Sequence, residues 1–196
     1  KPIIEQLKKE KNLNVLITFF SPSGYENSKK YPYADLISYI PFDTKSNAEK
    51  FISITNPTLA VIMRYDVWPN IVTSLSKRNI PIYLVDATLR HNSPRKYPIL
   101  KSFHKILFGY FTRILTVSAS DAEEFKSFNL AEDKIRAVGD TRFDRVYQRS
   151  LLARNKNLIN ENIIKNRKIF VAGSTWEQDE EVIFPALLKL AEMDDS

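Results

Sequence analysis

The chain has 196 residues, 43% of them hydrophobic and 12% aromatic, with a formal charge of +6 and a pI near 9.4. That content argues against disorder and allows a buried core in one domain or one and a fraction, while the positive balance favours acidic partners: nucleic acid, phosphorylated lipid or an anionic membrane surface. With no cysteine and two histidines, disulfides and thiolate metal sites are excluded, and little is left for a histidine zinc centre or a Ser-His-Asp triad.

Residues 2–10 have a helical composition, with Ile3, Ile4 and Leu7 on one side and lysines on the other. The run VLITFF at 15–20 reads as a buried strand, ended by Ser21-Pro22-Ser23-Gly24, a strand-to-helix turn with hydroxyls and a glycine. A second strand is expected at 36–40, closed by Pro41. Asp43 or Ser46 is the expected cap of a helix containing Ala48, Phe51 and Ile52, which Pro57 ends. The stretch 59–70, LAVIMRYDVWPN, organises the chain. Five apolar residues form a strand, Arg64, Tyr65 and Asp66 follow as an ion pair or a site, and Pro69-Asn70 opens a helix. In open α/β sheets, ligands bind at that carboxyl end of a strand.

Further on, a helix at 70–78 with Ile71, Val72 and Leu75 inward precedes a strand at 81–85. A longer helix at 98–111, a strand at 114–117 and a helix capped by Ser120 with Glu123 three residues on follow. A short strand at 135–138 leads to Gly139-Asp140. Strands alternating with helices point to a doubly wound, Rossmann-like parallel sheet of class α/β. Residues 149–167 read as helix and linker. A strand at 168–172, a Gly173-Ser174-Thr175 loop and a helix from about 177 to 192 read as the opening of a second α/β domain. No apolar run is long enough to cross a bilayer, and no signal peptide opens the chain. With Lys1 first and an unfinished pattern at EMDDS, the chain reads as a piece of a longer protein.

Neither GxGxxG nor a Walker loop is present. Gly24, Gly139 and Gly173 each follow an expected strand, where they relieve the backbone or let it approach a ligand. At Gly173 the following Ser174 and Thr175 favour an anion, because free N–H groups and hydroxyls gather at a helix start. Residues 87–120 contain no Asp or Glu but hold Arg90, Arg95, Lys96, Lys101, Lys105 and Arg113. Leu100, Phe103, Leu107, Tyr110 and Phe111 recur there at helical spacing, with Lys101 and Lys105 on another face. The bland reading is core on one side and solvated cations on the other. The functional one is a phosphate- or membrane-facing segment. No recognised nucleic-acid motif accompanies it.

Six pieces, in order, carry a family resemblance: TFFSPSGYE (18–26), PFD (41–43), MRYDVWPN (63–70), IPIYLVDATLRHNS (80–93), VGDTRFDRV (138–146) and VAGSTWEQDEE (171–181). Together they resemble the motifs of 3-deoxy-D-manno-octulosonic acid (Kdo) transferases. The resemblance implies a GT-B glycosyltransferase of lipopolysaccharide assembly. Such an enzyme moves Kdo from CMP-Kdo to a phosphorylated lipid A precursor at the cytoplasmic face of the bacterial inner membrane, inverting at the anomeric carbon without a metal or cofactor. It implies an acceptor-binding domain at 1–148 whose amino-terminal part is missing, a linker at 149–167, and the first strand and helix of a CMP-sugar domain at 168–196.

The same resemblance implies the site. Asp66 is the site-organising carboxylate. Ser23, Gly24, Arg90, Arg95 and Lys96 face the acceptor, and Gly173, Ser174 and Thr175 face the donor. The family's catalytic glutamate precedes the first helix, so the general base lies outside this chain and the chain alone is expected to be inactive. Many members have Glu where Arg64 stands and His where Trp176 stands. Two other readings stay open: a GT-B transferase with a different nucleotide sugar, and a non-enzymatic module that binds an anionic lipid.

Overall fold

The computed structural model describes residues 2–154, 156, 165 and 169–194. The run 16–19, four apolar or β-branched residues, forms β1 (Leu16–Phe19), paired in parallel with β2 (Leu36–Tyr39) in the register Leu16 to Leu36. Before it lies α1 (Pro2–Glu10) and between the two strands the short α2 (Pro22–Glu26), started by the Ser21 hydroxyl, which accepts from the Gly24 N–H at 3.1 Å. The Tyr31 hydroxyl donates to Glu5 at 2.9 Å and Lys8 pairs with Asp35 at 2.5 Å, so α1 lies over the α2–β2 connection.

A second parallel ladder runs β3 (Ala60–Met63), β4 (Ile82–Ala87), β5 (Arg113–Thr116) and β6 (Ile135–Ala137) in simple succession. Its crossovers are α4 (Pro69–Lys77), α5 (Pro98–Gly109) and α6 (Ala119–Lys126), while α3 (Lys45–Thr55) connects β2 to β3. Such crossovers are what parallel pairing demands. α7 (Thr141–Arg154) follows β6.

One core holds this arrangement together. Ala48 and Ile52 of α3 pack with Ile71, Val72 and Leu75 of α4, with Ile82 and Leu84 of β4, and with a knot of buried rings, Phe108, Phe111, Phe125 and Phe128. Within that knot Phe108 meets Phe125 and Phe128 edge-on at 5.2 and 5.1 Å, the geometry favoured by ring quadrupoles. The chain is the expected Rossmann-like α/β protein with parallel strands, hydrogen-bonded as two ladders.

Several local expectations are corrected. Thr44, rather than Asp43 or Ser46, caps α3, its hydroxyl accepting from the Asn47 N–H at 3.3 Å. Ser118, rather than Ser120, caps α6, because β5 ends at Thr116 and the helix starts sooner. The apolar side of α5 divides: Leu107 and Phe108 are buried, whereas Ile99, Phe103 and Ile106 face outward.

The chain falls into two compact units, Lys1–Arg149 and Ser150–Ser196. In the second, most of the expected linker at 149–167 lies outside the described residues, and so does Lys168. Residues 169–172 are not a strand. Ile169, Phe170 and Val171 are exposed there, since an apolar run becomes a strand only when another strand pairs with it. α8 (Glu177–Asp194) is formed as expected, its start held by Thr175, whose hydroxyl donates to Glu180 at 2.7 Å, and by Asp179, which accepts from the Trp176 N–H at 3.1 Å.

Candidate active site at the carboxyl edge of the sheet

The strand β3 ends in a tight turn. Arg64 takes φ 60°, a left-handed conformation, while its N–H stays on the ladder through a 2.7 Å bond to the Val85 carbonyl. Asp66 folds back, its N–H donating to the Met63 carbonyl at 3.2 Å, and its exposed carboxylate has no partner among the described residues. Trp68 opens α4 but offers no side-chain cap. The cap comes from Asp43, across the junction between the two ladders. Its carboxylate accepts from the Asn70 and Ile71 N–H groups at 3.1 and 3.0 Å, and the Asn70 amide donates to the Asp43 carbonyl at 2.6 Å. An anion at the positive end of a helix is well placed. Phe20 packs against Trp68 in a tilted contact with centroids 4.9 Å apart, bringing the loop with Ser23 and Gly24 beside the turn. A Cβ at Gly24 would stand 2.7 Å from the Phe19 ring, so glycine lets α2 close on β1.

Two more strand ends complete the rim. Asp86, at the end of β4, is 1% exposed with φ 51° and accepts from the Thr141 N–H at 3.1 Å and its hydroxyl at 2.7 Å. This joins β4 to the start of α7. After β6, Gly139 takes φ 98°, where a side chain would be strained, and turns the chain so that Asp140 points inward. Asp140 accepts from Arg142 through its backbone N–H at 2.9 Å and its guanidinium at 2.6 Å, and from Arg64 at 3.4 Å. The Arg142 guanidinium, with Arg64 adding to it, holds the Asp140 carboxyl below the usual range. In turn, Asp140 raises the pKa of Arg142.

The basic segment folds over this rim at one point. Arg95, whose pKa is lowered by burial, donates to the Tyr65 carbonyl at 3.2 Å and so stands against the Arg64–Asp66 turn. Lys96 instead pairs with Glu124 and donates to the His91 carbonyl at 3.0 Å, while His91 Nδ1 lies 2.9 Å from Glu124. Lys96, then His91, pulls the Glu124 carboxyl below its usual range. Arg90 is exposed, and its side chain is not brought to a partner among the described residues. Gly173, Ser174 and Thr175 belong to the second unit, where Ser174 has φ 59°.

Of the site residues expected from the sequence, Asp66 and Arg95 stand at this edge and Ser23 and Gly24 follow Phe20 beside it, while Arg142, Asp140 and Asp86 were not among those expected. Their signal was present in VGDTRFDRV and in the acid ending IPIYLVD. What these side chains form is an edge with three guanidinium groups, Arg64, Arg95 and Arg142. Asp140 is the acid paired with two of them, and Asp66 is a carboxylate open to hydroxyl donors. Such an edge suits an anionic ligand that also carries hydroxyls.

Parallel strands joined by helical crossovers, with a charged rim at the carboxyl edge, define a Rossmann-like domain of the GT-B type. Solved relatives agree: UDP-N-acetylglucosamine 2-epimerase from Rickettsia bellii superposes with a TM-score of 0.59 at 11% identity, over 97% of this chain and 54% of that one. The epimerase from Neisseria meningitidis gives 0.58 at 14% identity, over 79% of this chain and 46% of that one. At these identities the likeness is one of fold alone.

The chain belongs to the 3-deoxy-D-manno-octulosonic-acid transferase (kdotransferase) family, whose model matches residues 1–145. A 3-deoxy-D-manno-octulosonic acid transferase of Haemophilus influenzae is 25% identical, over 93% of this chain and 43% of the relative. A bifunctional glycosyltransferase/methyltransferase of Fusobacterium nucleatum is 28% identical over 90% of this chain and 28% of the relative. A probable mitochondrial 3-deoxy-D-manno-octulosonic acid transferase of Arabidopsis thaliana is 24% identical over 93% and 42%. The chain thus spans less than half the length of these relatives. Among the described residues, no helix is long and apolar enough to cross a membrane.

Proposed function

We propose that the whole protein is a glycosyltransferase of lipopolysaccharide biosynthesis that transfers Kdo from CMP-Kdo to a phosphorylated lipid A precursor. The observation that carries the reading is the match of family and rim: a Kdo transferase family domain whose carboxyl edge gathers guanidinium groups around an open carboxylate. Lipid A precursors carry phosphates and sugar hydroxyls. Guanidinium forks bind the former, and a carboxylate such as Asp66 accepts from the latter.

In this reading Asp66 orients the acceptor, with Arg95 and Arg90 on its phosphates and Ser23 and Gly24 lining the same cleft. Lys96 assists less directly, since Glu124 already holds it. Gly173, Ser174 and Thr175 meet the donor. The reaction inverts the anomeric centre without a metal, the general base comes from outside these residues, and the 196-residue chain alone is inactive. Residues 1–148 bind the acceptor and 168–196 begin the CMP-sugar domain.

A membrane surface is the natural third partner. Along α5, Ile99 is 87%, Phe103 48% and Ile106 62% exposed, with Tyr97 beside them and Lys105 on the next face. An outward apolar stripe with cations alongside is what docks at an anionic interface, here the cytoplasmic face of the inner membrane. The test is to incubate the full-length protein with CMP-Kdo and a lipid A precursor and weigh the products. A mass gain of one or more Kdo units is expected, and its absence overturns the proposal.

A further inference from the structure

The loop between β4 and α5, residues 88–97, carries Arg90, Arg95 and Lys96, with His91 among them, and no acid. Like charges close together repel, so such a loop needs counter-charge from elsewhere to take one shape. α6 supplies it. Asp121 and Glu124 lie three residues apart on that helix and therefore on one face. Asp121 accepts from the Leu89 N–H at 2.9 Å, where the loop begins. Nearer its end, one Glu124 oxygen lies 2.9 Å from His91 Nδ1 and the other takes the Lys96 ammonium, which also donates to the His91 carbonyl at 3.0 Å. Glu124, its side chain 17% exposed, is thus a staple between residues 91 and 96.

Stapling Lys96 decides where Arg95 goes. The two are neighbours in a single 3-10 turn (Pro94–Lys96), started by the Ser93 hydroxyl, which accepts from the Arg95 N–H at 3.4 Å. Such a turn has three residues per revolution, so consecutive side chains point about 120° apart. With Lys96 on α6, Arg95 is sent to the turn after β3, where its guanidinium donates to the Tyr65 carbonyl at 3.2 Å. No acid meets it there. Asp121 and Glu124 are occupied on α6, Asp86 is taken by Thr141, and Asp140 by Arg142 and Arg64. Among the described residues, the half-buried Arg95 guanidinium therefore makes one hydrogen bond, to a neutral acceptor. A guanidinium has five N–H donors, and one withdrawn from water without a counter-charge favours an anion. Burial lowers its pKa with no carboxylate to offset the effect.

We propose that Glu124 is a positioning residue: by holding Lys96 and His91 it keeps Arg95 unneutralised beside the Asp66 turn, as the phosphate-binding group of the rim. Arg95 touches Tyr65, the residue before Asp66, so a phosphate on the guanidinium and a hydroxyl on the Asp66 carboxylate belong to adjoining parts of one ligand, a sugar phosphate. That choice of ligand rests on the acceptor proposed above, whereas the different roles of Lys96 and Arg95 do not. Charge alone predicts the opposite behaviour. Removing Glu124 makes the rim more positive and releases Lys96, so a purely Coulombic rim holds phosphate better without it. If Glu124 positions Arg95, its loss frees the loop, the guanidinium loses its direction, and phosphate is held less well.

The experiment is arginine labelling of the full-length protein with phenylglyoxal, read by peptide mass mapping, alone and with inorganic phosphate or glucose 1-phosphate. Each anion should slow labelling of Arg95 at least ~3-fold while Arg113, paired with Asp133 on β5, labels at an unchanged rate. Glucose 1-phosphate should do so at the lower concentration, since it also offers hydroxyls to Asp66. In Glu124→Ala the ratio of the rates with and without anion should fall toward one. Should that variant fail to fold, the isosteric Glu124→Gln, which removes the charge alone, should show a smaller loss in the same direction. Arg95 unprotected by either anion in the parent overturns the proposal, and so does protection as strong or stronger in the Glu124 variants. Equal potency of the two anions overturns the sugar-phosphate assignment. No sugar transfer is read, so failure of the proposed transferase activity and failure of this site are told apart.

Discussion

Removing the Asp86 carboxylate tests whether the rim is held as described. In Asp86→Ala, the Thr141 N–H and hydroxyl lose their acceptor at a position that is 1% exposed. An orphaned donor costs about 1–3 kcal/mol, and more when the lost acceptor was charged. Thr141 is half-buried, so its hydroxyl can turn to water. About 2–3 kcal/mol is then assigned to the N–H and about 1 kcal/mol to the hydroxyl. Alanine at φ 51° adds about 1 kcal/mol, because only Gly, Asn and Asp visit the left-handed region readily. The sum is about 4–5 kcal/mol, a large share of the ~5–15 kcal/mol typical of a folded domain. Asp86→Asn keeps the backbone preference and one acceptor oxygen and should lose only about 1–2 kcal/mol. Urea unfolding followed by Trp68 emission, in a Trp176→Phe background, reads this unit. A loss below ~1.5 kcal/mol for Asp86→Ala, or equal losses for both variants, refutes the reasoning.

Other expectations follow from the same geometry. Asp66→Asn in the full-length protein should lower kcat/KM for the proposed lipid acceptor about 10–100-fold with no change in unfolding midpoint, since the carboxylate is exposed and makes no bond among the described residues; steady-state kinetics checks it. Arg90→Glu with Arg95→Glu should raise the acceptor KM about tenfold or more while the KM for CMP-Kdo stays put. The Asp140 carboxyl has its pKa lowered from 3.8, so its stabilising effect is complete above about pH 4 and is lost as acid protonates it through the folded value. Acid titration of stability should therefore fall less steeply in Asp140→Asn than in the parent. Replacing Ile99 and Ile106 by Asp on α5 should weaken binding of the full-length protein to vesicles containing anionic lipid at least about threefold in a sedimentation assay, leaving the CD spectrum unchanged.

Much of the fold was legible because it is written in local period. Short, largely apolar runs of four to six residues closed by Pro, Gly, Ser or a charged residue marked the strands, and the alternation with helices set the class. Caps were less legible. In DTKSN, at 43–47, four residues are of types that can cap a helix. Which one does depends on where Asp43 goes, and it goes to α4, a partner found only in three dimensions. The stretch 169–172 shows the converse limit: an apolar run states a preference for pairing but not the presence of a partner. In the candidate site, Asp66 and Arg95 could be picked from a motif and a charge run. Arg64–Asp140 and Asp86–Thr141 could not, since they join residues 76 and 55 positions apart and no periodicity reports such distances.

The borrowed cap on α4 also sets an order of assembly. Trp68 gives this helix no side-chain acceptor, and the carboxylate that satisfies its first N–H groups comes from 27 residues earlier. A helix of nine residues is marginal by itself, so its first turn cannot become stable until the 40–44 loop has closed upon it. α4 is therefore a late helix. Its formation reports that β2 and β3 have already found their relative places, and a chain in which they have not will leave the strand-end turn, with Asp66 on it, unformed.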